Sequence, residues 1–111
     1  MSGYVPKKGE FIAMDFDPQS GHEQKGRRPA LVVSNDLFNL RTGLAMVCPV
    51  TNTDRNYPFH VSIPSGGVLT GFVMVEQVKS VDYRSRRAKR IDKAPVALLE
   101  EVLAILDSCI Y

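Results

Sequence analysis

The apolar residues of this chain recur in short runs with a period of two, and only the last stretch carries a helical period. Side chains alternate between the faces of a strand but return every third or fourth residue on a helix, so the pattern dictates a small sheet ending in one helix. From Glu10 to Asp17, Ile12, Met14 and Phe16 share one face and Phe11 and Ala13 the other. Asp17-Pro18 ends that strand, and a polar loop containing two glycines follows to Arg28. Pro29 to Ser34 holds the unbroken run Leu31-Val32-Val33, as expected of a strand buried on both faces. Asn35-Asp36 can cap a short helix through Leu37, Phe38 and Leu40, which Gly43 stops. Leu44 to Val50 and Phe59 to Ile63 predict two more strands, and Pro64-Ser65-Gly66-Gly67 a turn. Val68 to Val81 reads as one long strand, or two with a bend near Gly71. The basic stretch Arg84 to Lys93 is too charged for a core and fits an edge strand around Ala88 to Ile91.

The closing helix begins at Pro95, a residue well suited to a first helical position. Leu98, Val102, Ile105, Leu106 and Cys109 share a face, which Leu99, Leu103 and Ile110 widen. So broad an apolar surface exceeds what one small sheet covers, and part of it is expected to meet another subunit. The 111 residues fit a single domain over 1–111. The expected fold is mainly β (α+β): a small barrel or strongly twisted antiparallel sheet with a C-terminal α-helix. No apolar run approaches the roughly 20 residues of a membrane span. Met1 to Glu10 lacks the layout of a signal peptide, so a cytoplasmic location is expected. Cys48 and Cys109 read as two buried thiols. No Cys or His spacing suits a metal site, and no metal or cofactor is expected.

Net charge is only +2, but its distribution is uneven. Arg84, Arg86, Arg87, Lys89, Arg90 and Lys93 are interrupted by one acid, Asp92, and Lys25, Arg27 and Arg28 form a second cluster. Concentrated cations suit a polyanion or an acidic peptide, or simply a solvated surface. The loop Gly21-His22-Glu23-Gln24-Lys25-Gly26-Arg27-Arg28-Pro29 is the densest chemical candidate. RNA carries its own nucleophile in the 2′-hydroxyl. Cleaving it needs a base for that hydroxyl, a cation for charge gathering on phosphorus oxygens and a proton donor for the leaving 5′-oxygen. Glu23 or His22 could serve as base, and the Arg28 guanidinium could hold the phosphate with two parallel hydrogen bonds. Alternatively, the loop charges pair with one another on the surface. Thr51, at a predicted strand end, could donate to a phosphate oxygen or be a turn residue. Glu76, Gln77 and Lys79 interrupt the Val73–Val81 strand as a polar face, and Phe59 and Tyr57 could stack on bases.

The ordered set Val5-Pro6, Gly9-Glu10, Asp15-Phe16-Asp17-Pro18, Gly21-His22-Glu23-Gln24, Gly26-Arg27-Arg28-Pro29-Ala30, Cys48-Pro49-Val50-Thr51, Tyr57-Pro58-Phe59 and Glu76-Gln77-Val78-Lys79-Ser80 resembles the MazF/PemK family along essentially the whole chain. The resemblance implies an SH3-like barrel, a homodimer and a sequence-specific endoribonuclease toxin. It would act on single-stranded RNA without metal or ribosome, leave 2′,3′-cyclic phosphate ends, and be neutralised by an acidic, MazE-like antitoxin. It implies Glu23, Arg28 and Thr51 as catalytic residues, with His22 assisting. The expected RNA contacts are Gln24, Lys25, Arg27, Phe59, Glu76, Gln77, Lys79, Arg84, Arg86 and Arg87. In the PemK/Kid variant, a His works with an Arg and an Asp two residues apart on a later strand. Here His22 and Glu76 match, but Met74 stands at the Arg position. Two other functions fit the same residues. One is a non-catalytic RNA-binding module. The other is a DNA gyrase poison of related fold, disfavoured because that activity uses a terminal Trp-Gly-Ile and this chain has no tryptophan.

Overall fold

The computed structural model describes residues 3–16 and 26–111. Among these it has strands β1 (Glu10–Asp15), β2 (Arg27–Val32), β3 (Leu44–Thr51), β4 (His60–Ser62), β5 (Phe72–Met74), β6 (Lys79–Asp82) and β7 (Lys89–Lys93), with helices α1 (Asp36–Thr42) and α2 (Val96–Ile110). The expectations placed on His22, Glu23, Gln24 and Lys25 lie outside the described residues. All strand pairs are antiparallel, and the sheet runs β4-β5-β3-β2-β1-β7 with β6 also on β3. The sheet is not closed into a barrel.

Strand β3 changes partner along its length. Leu44 to Val47 pair with β6, and Val50 and Thr51 pair with β5. Pro49 sits in the gap, where the ladder on that side is interrupted and a residue without an N–H is tolerated. The switch explains why Val68–Val81 is neither one strand nor two joined at Gly71. To move from one half of β3 to the other, the chain breaks at a single 3-10 turn, Val75–Gln77. Gly71 instead lies just before β5 at φ 122°, where a Cβ would stand 2.4 Å from the Thr51 carbonyl oxygen.

Period-two patterning sorts the core into two clusters. Phe11, Leu31, Val50, Val61, Val73 and Val75 pack under α2 through Leu98 and Val102. Ile12, Met14, Val32, Val47, Val81 and Tyr83 form the other cluster. Adjacent Leu31 and Val32 fall on opposite sides and both are fully buried, as their unbroken run predicts. β7 is the expected basic edge strand, and Arg90 donates to Glu10 of β1 at 2.9 Å.

Asn35 Oδ1 caps α1 by accepting from the Phe38 N–H at 2.8 Å, and Gly43 ends the helix at φ 72°. In α2, Pro95 lies at the cap rather than in the first turn. Cys48 is buried but Cys109 is exposed, which corrects the expectation of two buried thiols: Cys109 lies at the helix end, beyond the residues that reach the sheet.

Two polar ties hold the periphery. Asn39 is fully buried; its Nδ2 donates to the Pro6 carbonyl at 2.8 Å, its Oδ1 accepts from Ser34, and its own carbonyl accepts from Tyr83 at 2.8 Å. At the far end of β1, the Asp15 carboxylate accepts from Arg87 Nε at 2.7 Å and Arg27 Nη1 at 3.0 Å. Arg27 also donates to the Arg87 carbonyl, securing Arg87 in its left-handed backbone conformation. The Arg87 guanidinium first, and Arg27 after it, holds the Asp15 carboxyl below the usual carboxylate range. Its folded pKa being lowered, Asp15 adds stability that is complete above the ordinary value of about 3.9 and is lost as pH falls through the lowered one. Asp15→Asn should therefore melt earlier than the parent at neutral pH, the gap closing in acid below about pH 4. Thermal melts across that range check it; a gap independent of pH would mean the ion pairs contribute nothing.

Candidate active site

The ends of β2, β3 and β5 and the 3-10 turn surround an open groove of about 600 Å³. Arg28 enters from β2, Thr51 from the end of β3, and Glu76 and Gln77 from the turn. These residues, distant in sequence, meet because β3 lies beside both β2 and β5. Phe16, just past β1, and Arg55, Tyr57 and His60 complete the walls. Met74 also lines the groove and gives it a thioether where the PemK-type pattern has a cation.

The groove pairs cations with aromatic faces. The Arg28 guanidinium carbon lies 5.7 Å from the Phe16 ring centroid, and Lys79 Nζ lies 4.9 Å from it. Such stacking holds a cation in place without using its N–H donors on a protein carboxylate. Thr51 Oγ1 accepts from the Thr53 N–H at 3.2 Å, leaving its own O–H to donate. His60 Nε2 lies 3.0 Å from Glu76 Oε2, and the Tyr57 ring stands edge-on to His60 with centroids 5.1 Å apart. Cys48, beneath the groove, is not a nucleophile. Burial, and then the Glu76 charge, push its thiol up to about 12. Among the described residues no three His, Cys, Asp or Glu gather as a metal-binding group.

The expected site residues thus divide. Arg28, Thr51, Glu76 and Gln77 meet in the groove, with Lys79 reaching its edge over Phe16. Phe59 does not line it but braces Tyr57 from behind, ring centroids 5.6 Å apart. Arg27 and Arg87 are engaged with Asp15, and Arg86 Nη1 donates to the Asp15 carbonyl at 3.4 Å. Arg84 borders a separate hollow with Val5, Leu40 and Asp82. Phe16, Arg55 and His60 were not singled out by sequence reasoning. An aromatic inside an alternating strand reads as core, and a lone histidine carries no spacing signal. Only the register His60↔Met74 brings His60 to Glu76.

This architecture has close relatives. Residues 7–110 match the family described as PemK-like, MazF-like toxin of type II toxin–antitoxin system. The chain is 42% identical over 90 residues to the endoribonuclease toxin MazF of Escherichia coli K12, covering 81% of this chain and 80% of that one. It is 38% identical over 106 residues to the endoribonuclease PemK of Escherichia coli, covering 92% and 80%. The fold superposes on MazF (Form I) of Deinococcus radiodurans with a TM-score of 0.87 at 44% identity over 97% of this chain and 98% of that one. The MazE–MazF structure (Form II) from the same organism gives 0.90 at 44% identity, covering 97% of each chain. With the groove, its guanidinium and its strand-end threonine in the same chain, the assignment is direct: this protein belongs to the PemK-like, MazF-like toxins of type II toxin–antitoxin systems, a family of endoribonucleases.

Proposed function

We propose that the protein cuts single-stranded RNA at specific short sequences by attack of the 2′-hydroxyl on the adjacent phosphorus, leaving a 2′,3′-cyclic phosphate and a free 5′-hydroxyl. The observation that carries this reading is the meeting of Arg28 and Thr51 in one groove, with Phe16 on its wall. Arg28 holds the non-bridging phosphate oxygens, with its charge stabilising the pentacovalent transition state. The Thr51 hydroxyl donates to the same phosphate. Glu23 or His22, in the segment between β1 and β2, takes the 2′-hydroxyl proton, and as the P–O5′ bond breaks the 5′-oxygen takes a proton from the other of the two or from water. A free glutamate titrates near 4.3, low for a base working near neutral pH, which keeps His22 as the competing base. None of these steps calls for a metal or a ribosome.

An acidic antitoxin segment would cover the same cationic groove, because one surface cannot hold two polyanions at once. Val96 and Ile110 remain 60% and 71% exposed on α2, apolar surface that suits a second copy of the chain. Light scattering at micromolar concentration should give twice the 12.3 kDa chain mass; a monomer that still cleaves would refute the dimer.

The test of function is incubation with a long RNA in excess chelator. Discrete fragments with cyclic-phosphate ends are expected, and cutting should stop when the acidic antitoxin is added. Binding without fragments would make the protein an RNA-binding module instead.

A further inference from the structure

We propose that His60 and Glu76 form a base-reading pair, in which His60 holds the Glu76 carboxylate so that it accepts from the exocyclic amino group of one unpaired nucleobase. This rests on the groove being an RNA site. Glu76 is the one acid that lines the groove among the described residues, beside Arg28 and Arg55. A carboxylate repels phosphate and, when ionised, only accepts hydrogen bonds. A favourable contact with RNA therefore needs a donor, and the amino groups of adenine, cytosine and guanine are the available base donors of that kind. Uracil has only N3–H, flanked by two carbonyl oxygens that face a carboxylate unfavourably. The same geometry that accepts an amino-bearing base disfavours uracil.

His60 is a positioning residue in this scheme. Its side chain is 3% exposed, too buried to meet RNA broadly, while Glu76 is 27% exposed and open to the groove. An ionised carboxylate only accepts, so the contact with Glu76 favours the tautomer with the proton on Nε2, while Nδ1 is buried with no hydrogen-bond partner among the described residues. The edge-on Tyr57 ring fixes the imidazole plane. Held in this way, Glu76 surrenders little side-chain freedom when a base arrives, and its other oxygen has no hydrogen-bond partner among the described residues. Tyr57, 45% exposed, offers the neighbouring stacking face.

The experiment is cleavage of a randomised RNA pool by the parent, Glu76→Gln, His60→Ala and His60→Gln, with the cut ends sequenced. The parent should favour amino-bearing bases over uracil at one position near the cut. Glu76→Gln, whose amide donates as well as accepts, should lower that ratio about tenfold, the scale of one side-chain contact to a base edge. His60→Ala should lower it in the same direction. His60→Gln should keep it, because a glutamine amide can donate from near the Nε2 position. Equal slowing at every site with an unchanged base ratio in Glu76→Gln would place the carboxylate on the reacting groups and overturn the proposal. A base ratio indifferent to both His60 variants would overturn the positioning role. A parent that cuts nothing would overturn the nuclease reading and this one with it, whereas a cutting parent with unaltered variants overturns this one alone.

Discussion

Arg28→Ala should abolish RNA cleavage, and Arg28→Lys should fail to restore it. The lysine variant separates charge from shape. Its ammonium group would keep one positive charge and could still sit over Phe16, since Lys79 already does so at 4.9 Å. It would lose the planar fork that meets two phosphate oxygens with two parallel hydrogen bonds. Removing one transition-state donor of this kind costs about 10²–10³ in rate. Arg28 is half-buried at the groove edge and makes no ion pair among the described residues, so both variants should melt close to the parent. Single-turnover cleavage of a defined RNA is the measurement, with a melt as control. Near-normal turnover in Arg28→Lys would remove the residue from phosphate binding.

The largest loss of stability is expected from Asn39→Ala. One buried side chain joins three segments: the Pro6 carbonyl, Ser34, and, through its own backbone, Tyr83. Truncation leaves the Pro6 carbonyl and the Ser34 hydroxyl without their partner in a dry interior, each costing about 1–3 kcal/mol. A net loss of about 3 kcal/mol lowers the melting temperature of a domain this size by roughly 10–20 °C. Asn39→Asp should be as damaging, because a carboxylate cannot donate to Pro6. Thermal melts at neutral pH decide; a shift of only a degree or two would mean the knot is solvated.

Strand periodicity was legible because burial enforces it. Ile12 and Met14 entered one cluster and Phe11 the other, as their alternation required. The cap at Asn35 and the stop at Gly43 were legible because both are local backbone chemistry. The break at Val75–Gln77 was not, since it follows from β3 exchanging one partner for another, a fact of long-range pairing. The site divides in the same way. Arg28 and Thr51 were found through a motif and the groove unites them, whereas His60 became visible only through its register with Met74. The pairing inside the basic cluster was not legible from composition. Arg27 and Arg87 look like free cations in the sequence, but both pair with Asp15, which is far from Arg87 along the chain, so the trio keeps only one net positive charge.

The partner exchange on β3 also bears on motion. One wall of the groove, Tyr57 and His60 with β4 and β5, stands on the cluster under α2, while Lys79 at its edge lies on β6, whose Val81 is buried in the second cluster. The two clusters share strands β1 to β3, and the groove lies along the seam where they meet; regions packed in separate clusters can open at different free energies. A strand of RNA lying across it would touch side chains carried by both clusters and so act as a removable cross-link between them.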